Sequence, residues 1–260
     1  WQDQAMNKAY DGNFWECHVE EAREGEMYKY RIYLRDGQCI DHCDPYGFGM
    51  ELRPKTASFI RDMDRFIFSD EAWMQSRSDC KNRPLNIYEV HMGSFRKPSG
   101  EPDAWYNYEE MSEILIPYLK EKGYHYLEVM PLNEYPSDES WGYQSTGFFS
   151  PTSRYGTADQ LKAFVNACHR NGIGVIMDFV PVHFAVDGYA LANYDGTALY
   201  EYPNSAVGVS EWGSCNFMHS RGEVRSFLQS AAYYWLKEFH MDGLRMDAIS
   251  RAIYWQGSPE

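Results

Sequence analysis

The chain has 260 residues, 44% of them hydrophobic and 17% aromatic, and its 38 acidic against 24 basic side chains leave a formal charge of −14. That composition excludes a disordered chain and a nucleic-acid binder, which needs clustered Lys and Arg. With no uninterrupted apolar stretch of ~18 residues it also excludes a membrane-spanning protein.

The 8 Trp and 21 Tyr suit a surface that recognises sugars, and equally an ordinary core or interface. The sequence opens Trp1-Gln2-Asp3 without a basic and apolar leader, and closes Gly257-Ser258-Pro259-Glu260 directly after the apolar run Ala252-Ile253-Tyr254-Trp255. Both ends read as internal to a longer protein, so the chain is expected to be a fragment. Cys17, Cys39, Cys43, Cys80, Cys168 and Cys215 are scattered. The Cys39–Cys43 spacing is not that of a zinc knuckle. The cysteines are read as reduced, and the protein as cytoplasmic.

Residues 1–45 show the period-2 alternation of antiparallel strands, in Phe14–Glu20 and in Tyr28–Leu34, with turns at Gly25 and Asp36-Gly37. These strands are too few to close a sandwich and are read as the C-terminal part of one. Residues 46–84 form a packed connector with the amphipathic stretch Asp70–Met74. From 85 onward strand and helix alternate: strand Leu85–His91, helix Tyr108–Lys122, strand Tyr124–Met130, helix Thr157–Asn171, strand Gly174–Val180, helix Glu223–His240 and strand Gly243–Ala248. Thr157 is a plausible N-cap and Gly172 a helix stop. The order predicts an α/β fold with a parallel sheet and crossover helices.

Doubly wound sheets and (β/α)8 barrels share that signature. Three features favour the N-terminal half of a (β/α)8 TIM barrel over residues 85–260. Polar residues His91, Asp178 and Asp247 sit at the C-terminal ends of strands, where barrel chemistry lies. Roughly 25 residues follow the second strand and roughly 40 the third, and loops of such length are usually functional. No Gly-rich phosphate loop follows the first strand.

Three groups of residues could carry chemistry. Arg245 and Asp247 lie two apart on a strand and project to the same side. A guanidinium there keeps a carboxylate ionised, as a nucleophile in sugar chemistry requires; a structural ion pair fits equally. Asp178 ends an apolar strand and His183 begins the loop after it. They could hydrogen-bond a polyol, bind a metal, or merely cap the loop; no matching metal-ligand set is found, and neither metal nor cofactor is expected. Trp141-Gly142-Tyr143-Gln144, followed by Phe148-Phe149, is either a stacking platform or a loop closed on its own aromatic residues.

Together these segments resemble the α-amylase superfamily (glycoside hydrolase family 13). Asp178-x-Val180-Pro181-x-His183 is similar to its first signature region, and Gly243-Leu244-Arg245-Met246-Asp247-Ala248 to its second. The stretches Tyr88–Phe95, Trp141–Gln144, Pro151–Thr157, Asp195–Glu201 and Glu223–Asp247 resemble the bacterial-type glycogen branching enzymes of that superfamily. Residues 13–59, with Tyr28–Arg31 and Asp44–Tyr46, are similar to the tail of the immunoglobulin-like β-sandwich carbohydrate-binding module that precedes the barrel there.

The resemblance implies roles. Asp247 is the nucleophile and Arg245 positions it. Tyr143, Asp178 and His183 line the subsite that grips the glucose to be transferred, and Trp141 and Gln144 neighbour it. The partner is an α-1,4-glucan such as glycogen or amylose. The family's general-acid Glu, and a later His-Asp pair, are expected on strands beyond these four, so this stretch alone is expected to be inactive. Alternatives are a debranching enzyme or amylase of the same superfamily, and a non-catalytic glucan-binding remnant.

Overall fold

The computed structural model describes residues 2–12, 14–77, 82–100, 104–255 and 258–259. Trp1, Cys80, Gly257 and Glu260 lie outside them.

The first part of the chain is built from short antiparallel pairs. Strand β1 (Asn7–Ala9) pairs with β2 (Phe14–Glu16), β3 (Met27–Tyr28) with β6 (Ser58–Phe59), and β4 (Tyr30–Tyr33) with β5 (Cys39–His42). The predicted strand over Phe14–Glu20 is shorter than its alternation suggested, because β1 offers partners only from Glu16 back to Phe14. Helix α1 (Glu71–Ser76) follows.

The remainder forms a four-stranded parallel sheet in the order β7 (Ile87–Val90), β8 (Tyr126–Val129), β11 (Gly174–Phe179) and β14 (Gly243–Met246). Between β7 and β8 run the short α2 (Met92–Phe95) and the long α3 (Tyr108–Lys122). Between β8 and β11 come β9 (Asn133–Glu134), β10 (Gly147–Pro151) and α4 (Ala158–Arg170). Between β11 and β14 come β12 (His183–Phe184), α5 (Ser205–Gly208), β13 (Cys215–Asn216) and α6 (Gly222–Glu238). Helix α7 (Ile249–Ile253) follows β14, and the short antiparallel pair β15 (Tyr254–Trp255) and β16 (Ser258–Pro259) comes after it.

Local chemistry explains the helix limits. Asn107 and Thr157 each cap a helix, and Glu110 and Gln160 reach back to the cap nitrogens, so both starts are reciprocal capping boxes. Gly123, with φ +74°, ends α3 in the left-handed conformation that glycine adopts without strain. The strand predicted over Gly243–Ala248 stops at Met246, because Ala248 turns left-handed (φ 52°) and leads into α7. Asp247 therefore lies just beyond the strand, still tied to the sheet by its amide donating to the Phe179 carbonyl at 2.9 Å.

Period-2 alternation sorts the two faces of the sheet. Val90, Leu127, Val129, Val175, Met177 and Phe179 join Leu115, Leu119, Leu161, Phe164, Phe227 and Trp235 in one core beneath the helices. Phe148 and Phe149, grouped from sequence with the Trp141 cluster, are buried in that core instead. The intervening positions include two charged pairs toward the C-terminal ends of the strands: Glu89 is paired in register with Glu128, and Asp178 with Arg245.

At the N-terminal edge of the sheet a buried polar knot joins the two parts of the chain. His169 Nδ1 lies 2.6 Å from Asp70 Oδ2, and its Nε2 lies 2.9 Å from Asp242 Oδ2. Asp242 also accepts from the Val175 amide at 2.7 Å and from the Trp73 indole at 2.8 Å, and His240 Nδ1 meets Asp70 at 2.9 Å.

Candidate active site

The opposite, C-terminal edge gathers the residues singled out from sequence. The end of β11 places Asp178 next to Arg245 of β14, and the Arg245 Nη1 donates both to Asp178 Oδ2 (3.0 Å) and to Asp247 Oδ1 (2.7 Å). One guanidinium thus spans a carboxylate on β11 and one just past the end of β14. Tyr143, arriving on the loop after β8, donates its hydroxyl to the same Asp178 Oδ2 at 2.6 Å. Asp178 is fully buried; its Oδ1 meets no N–H or hydroxyl donor, and the neighbouring Glu128 carboxyl is pushed up by burial first and then by the Asp178 charge. Burial pushes the Asp178 carboxyl above its ordinary value, against the opposing pull of the Tyr143 hydroxyl and the Arg245 charge. Burial, followed by the bond to Asp178, likewise pushes the Tyr143 phenol up, so it remains a donor.

His183 begins β12 and is buried beside the group. Its Nδ1 lies 3.0 Å from Ser214 Oγ. A Ser214 hydroxyl donating there leaves the ring proton on Nε2. Burial holds the imidazole below its ordinary pKa while Asp247 pulls the other way, which favours the neutral ring.

The Trp141–Gln144 loop is turned outward by two consecutive left-handed residues, Trp141 (φ 54°) and Gly142 (φ 95°). A side chain at 142 would collide with the Pro131 carbonyl oxygen, 2.6 Å from the position of its Cβ. This reversal leaves Trp141 half-exposed and stacked on His91 at 5.8 Å, while Tyr143 points inward to Asp178. Gln144 does not reach the carboxylates; its Nε2 donates to the Trp212 carbonyl at 3.3 Å.

Several supporting residues escaped the sequence reading. The loop is clamped at its base by a buried ion pair, Arg154 Nη1 to Glu134 Oε1 at 2.9 Å, with the Ser153 amide donating to Glu134 Oε2 at 2.7 Å. Arg154 also lies over the Tyr135 ring and reaches Asp138 at 2.8 Å. Hydrogen bonding from Arg53, then from Arg154, holds Asp138 down to about 2 although burial opposes it. Arg154 stood inside a quoted stretch, but nothing local distinguishes a buried Arg from a solvated one. The carboxylate oxygens of Glu89, Glu128 and Asp178 lie within 4.8 Å of one another. That all-oxygen set is the donor chemistry of hard divalent cations, and Arg245 already places a positive charge against it. Its signal was legible: Glu89 and Glu128 interrupt apolar strands at matching positions.

Two clefts lie away from these residues: one of about 530 Å³ is lined by residues 48–55, Phe59 and Arg61 together with Pro151, Ser153 and residues 156–158, and one of about 450 Å³ lies around Tyr46, Tyr200 and Arg221. What the strand ends offer is a carboxylate, Asp247, oriented by a guanidinium and accompanied by hydroxyl, imidazole and carboxyl groups suited to polyol hydroxyls.

Residues 101–195 match the family of α-amylase catalytic domains. Over 98% of its length the chain is 46% identical to the 1,4-alpha-glucan branching enzyme GlgB of Fusobacterium nucleatum, and over 94% it is 49% identical to that of Dechloromonas aromatica. It spans about two fifths of the length of these curated relatives, 41% and 40%. Among solved structures, one described as an alpha amylase from Salmonella typhimurium superposes with a TM-score of 0.76 at 28% identity, covering 96% of this chain and 39% of that one. A Paenibacillus barengoltzii pullulanase mutant complexed with maltotriose superposes with a TM-score of 0.70 at 22% identity, covering 93% and 42%, a likeness of fold. The fold is thus an α/β fold of the α-amylase type.

Proposed function

From a chain that matches a segment of a 1,4-α-glucan branching enzyme, we propose that the protein containing it serves glycogen biosynthesis: it cuts α-1,4-glucan and transfers the released chain to a 6-hydroxyl, forming an α-1,6 branch. The observation that carries this reading is the Arg245 guanidinium bridging Asp178 and Asp247 at the C-terminal ends of β11 and β14. The four parallel strands would be the first half of a (β/α)8 barrel over residues 85–260, with the charged face of the sheet turned to the barrel interior. Residues 1–45 would be the last part of a β-sandwich carbohydrate-binding module, and 46–84 the connector. A cytoplasmic location follows the same reading. Among the described residues no helix is long and apolar enough to cross a membrane.

Retaining chemistry needs two carboxyl groups roughly 5 Å apart, one nucleophilic and one acidic. Asp247, oriented by Arg245, attacks the anomeric carbon. A Glu that the family resemblance places on a later strand protonates the departing oxygen. The glycosyl ester on Asp247 is then attacked by the 6-hydroxyl of another glucan, whose proton passes to that Glu. Asp178, held by Tyr143, and His183 grip hydroxyls of the transferred glucose. Trp141 and Gln144 flank that subsite.

Amylose incubated with the complete protein tests this. Branching produces α-1,6 links, read by proton NMR and by the chains an isoamylase releases, without a matching rise in reducing ends. A rise in reducing ends without α-1,6 links would overturn it in favour of an amylase or debranching activity. Glucan binding with no turnover would leave only a binding remnant.

A further inference from the structure

One segment, residues 209–214, connects α5 to β13. It is a tight reversal closed by the Val209–Cys215 bridge, by the Ser210 amide on the Ser214 carbonyl (2.8 Å) and by the Gly213 amide on the Ser210 carbonyl (3.1 Å). Gly213 supplies the left-handed residue the reversal needs (φ 73°). The Ser210 hydroxyl accepts from the Trp212 amide at 3.2 Å and lies 2.5 Å from Ser214 Oγ, which in turn meets His183 Nδ1. Two side-chain contacts tie the segment to the surroundings of the candidate site. Gln144, next to Tyr143, donates to the Trp212 carbonyl. Glu211 pairs with Arg251 of α7, four residues after Asp247, at 2.8 Å.

All of this fixes the position of Trp212. Its ring packs on the buried His183 ring, 5.0 Å away at 37°, and is 47% exposed. A large ring backed on one side by a buried imidazole and held on a closed turn keeps the rest of its surface open to a ligand. A flat amphipathic ring is suited to stack on the apolar face of a sugar. Trp141, also half-exposed and backed by His91, repeats the arrangement on the adjoining loop.

We propose that Trp212 is a glucan-stacking residue that holds a glucose ring of the α-glucan beside His183, and that Gln144 acts through it as a positioning residue. The proposal rests on the glucan reading above, and it gives Gln144 a role other than contact with the transferred glucose.

The test uses the complete protein and maltoheptaose, with Kd from calorimetry, KM and kcat on amylose, and the thermal midpoint. Trp212→Ala is expected to raise Kd and KM roughly tenfold, the scale of one lost aromatic contact, with kcat little changed. Trp212→Phe should keep most of the affinity, and Gln144→Ala should weaken binding in the same direction by less. An unchanged Kd in Trp212→Ala overturns the proposal. So does an equal loss in Trp212→Phe with a lowered thermal midpoint, which marks a packing role. A protein that binds maltoheptaose through Trp212 yet makes no α-1,6 links upholds the proposal and overturns the branching reading. A protein that branches with Trp212→Ala affinity unaltered does the reverse.

Discussion

The two edges of the parallel sheet use the same vocabulary, aspartates beside cationic or imidazole side chains, to opposite ends. At the N-terminal edge Asp70, His169, Asp242 and His240 are closed on one another, on the Trp73 indole and on a backbone amide. At the C-terminal edge Asp178, Arg245 and Asp247 are joined by a single guanidinium, with Asp178 Oδ1 meeting no N–H or hydroxyl donor. Burial pushes up the carboxyls of both Asp70 and Asp178. Hydrogen bonds from His169 and His240 reverse the sign at Asp70, whereas Tyr143 and Arg245 do not reverse it at Asp178. A satisfied polar network stabilises; an under-satisfied one keeps bonding capacity for something else.

Substitution at each edge should separate function from stability. Asp247→Asn in the complete protein is expected to abolish α-1,6 link formation by roughly a thousandfold or more, with the thermal midpoint unmoved; retained turnover would remove Asp247 from the chemistry. His169→Ala should cost about 3–5 kcal/mol in urea unfolding, because it strands two buried carboxylates, while turnover per folded molecule stays the same. A cost of about 1 kcal/mol or less, the scale of a solvent-exposed pair, would mean the knot is not a stabilising unit.

A pH series sharpens the contrast, because the two aspartates shift in opposite directions. Asp70, held below its ordinary value, lends stability as an anion. That contribution is present above the ordinary carboxylate pKa of ~3.9 and is lost as pH falls through the folded value. Asp178, held above its ordinary value, lends stability as a neutral acid, present below ~3.9 and lost as pH rises through the folded value. Asp70→Asn should therefore destabilise most at neutral pH and converge on the parent protein in acid. Asp178→Asn should gain on the parent as pH rises through the same range. Parallel curves for the two variants would refute the opposed shifts. The smallest effect is expected at Asp138, which is partly solvated: Asp138→Asn should lower the thermal midpoint slightly at pH 7 and match the parent near pH 2, as Asp138 titrates at about 2.

Much of this was legible in one sequence. The cap at Thr157, the order of strands and helices, and the pairing of Arg245 with Asp247 two residues on all follow from local spacing. Element limits that depend on a partner did not: β2 ends at Glu16, opposite Asn7, the first residue of β1, and β14 stops before Asp247 because Ala248 turns left-handed. Phe148 and Phe149 looked like companions of Trp141 in a loop, yet they line the core beneath α6.

What the sequence determined by itself was periodicity and residue chemistry: a βα order, polar residues at the C-terminal ends of strands, and an Asp–Arg–Asp vocabulary resembling one superfamily. The tertiary structure decided which of those charges meet. His169 lies 99 residues from Asp70 and meets it at 2.6 Å, Tyr143 crosses 35 residues to Asp178, and Gln144 crosses 68 to Trp212. Such pairings are set by strand register and by the folding of loops over the sheet edge, and neither leaves a periodic trace in a single chain. Burial, too, belongs to the fold: the same carboxyl side chain titrates low at Asp70 and high at Asp178 because its neighbours, not its type, determine the balance between desolvation and hydrogen bonding.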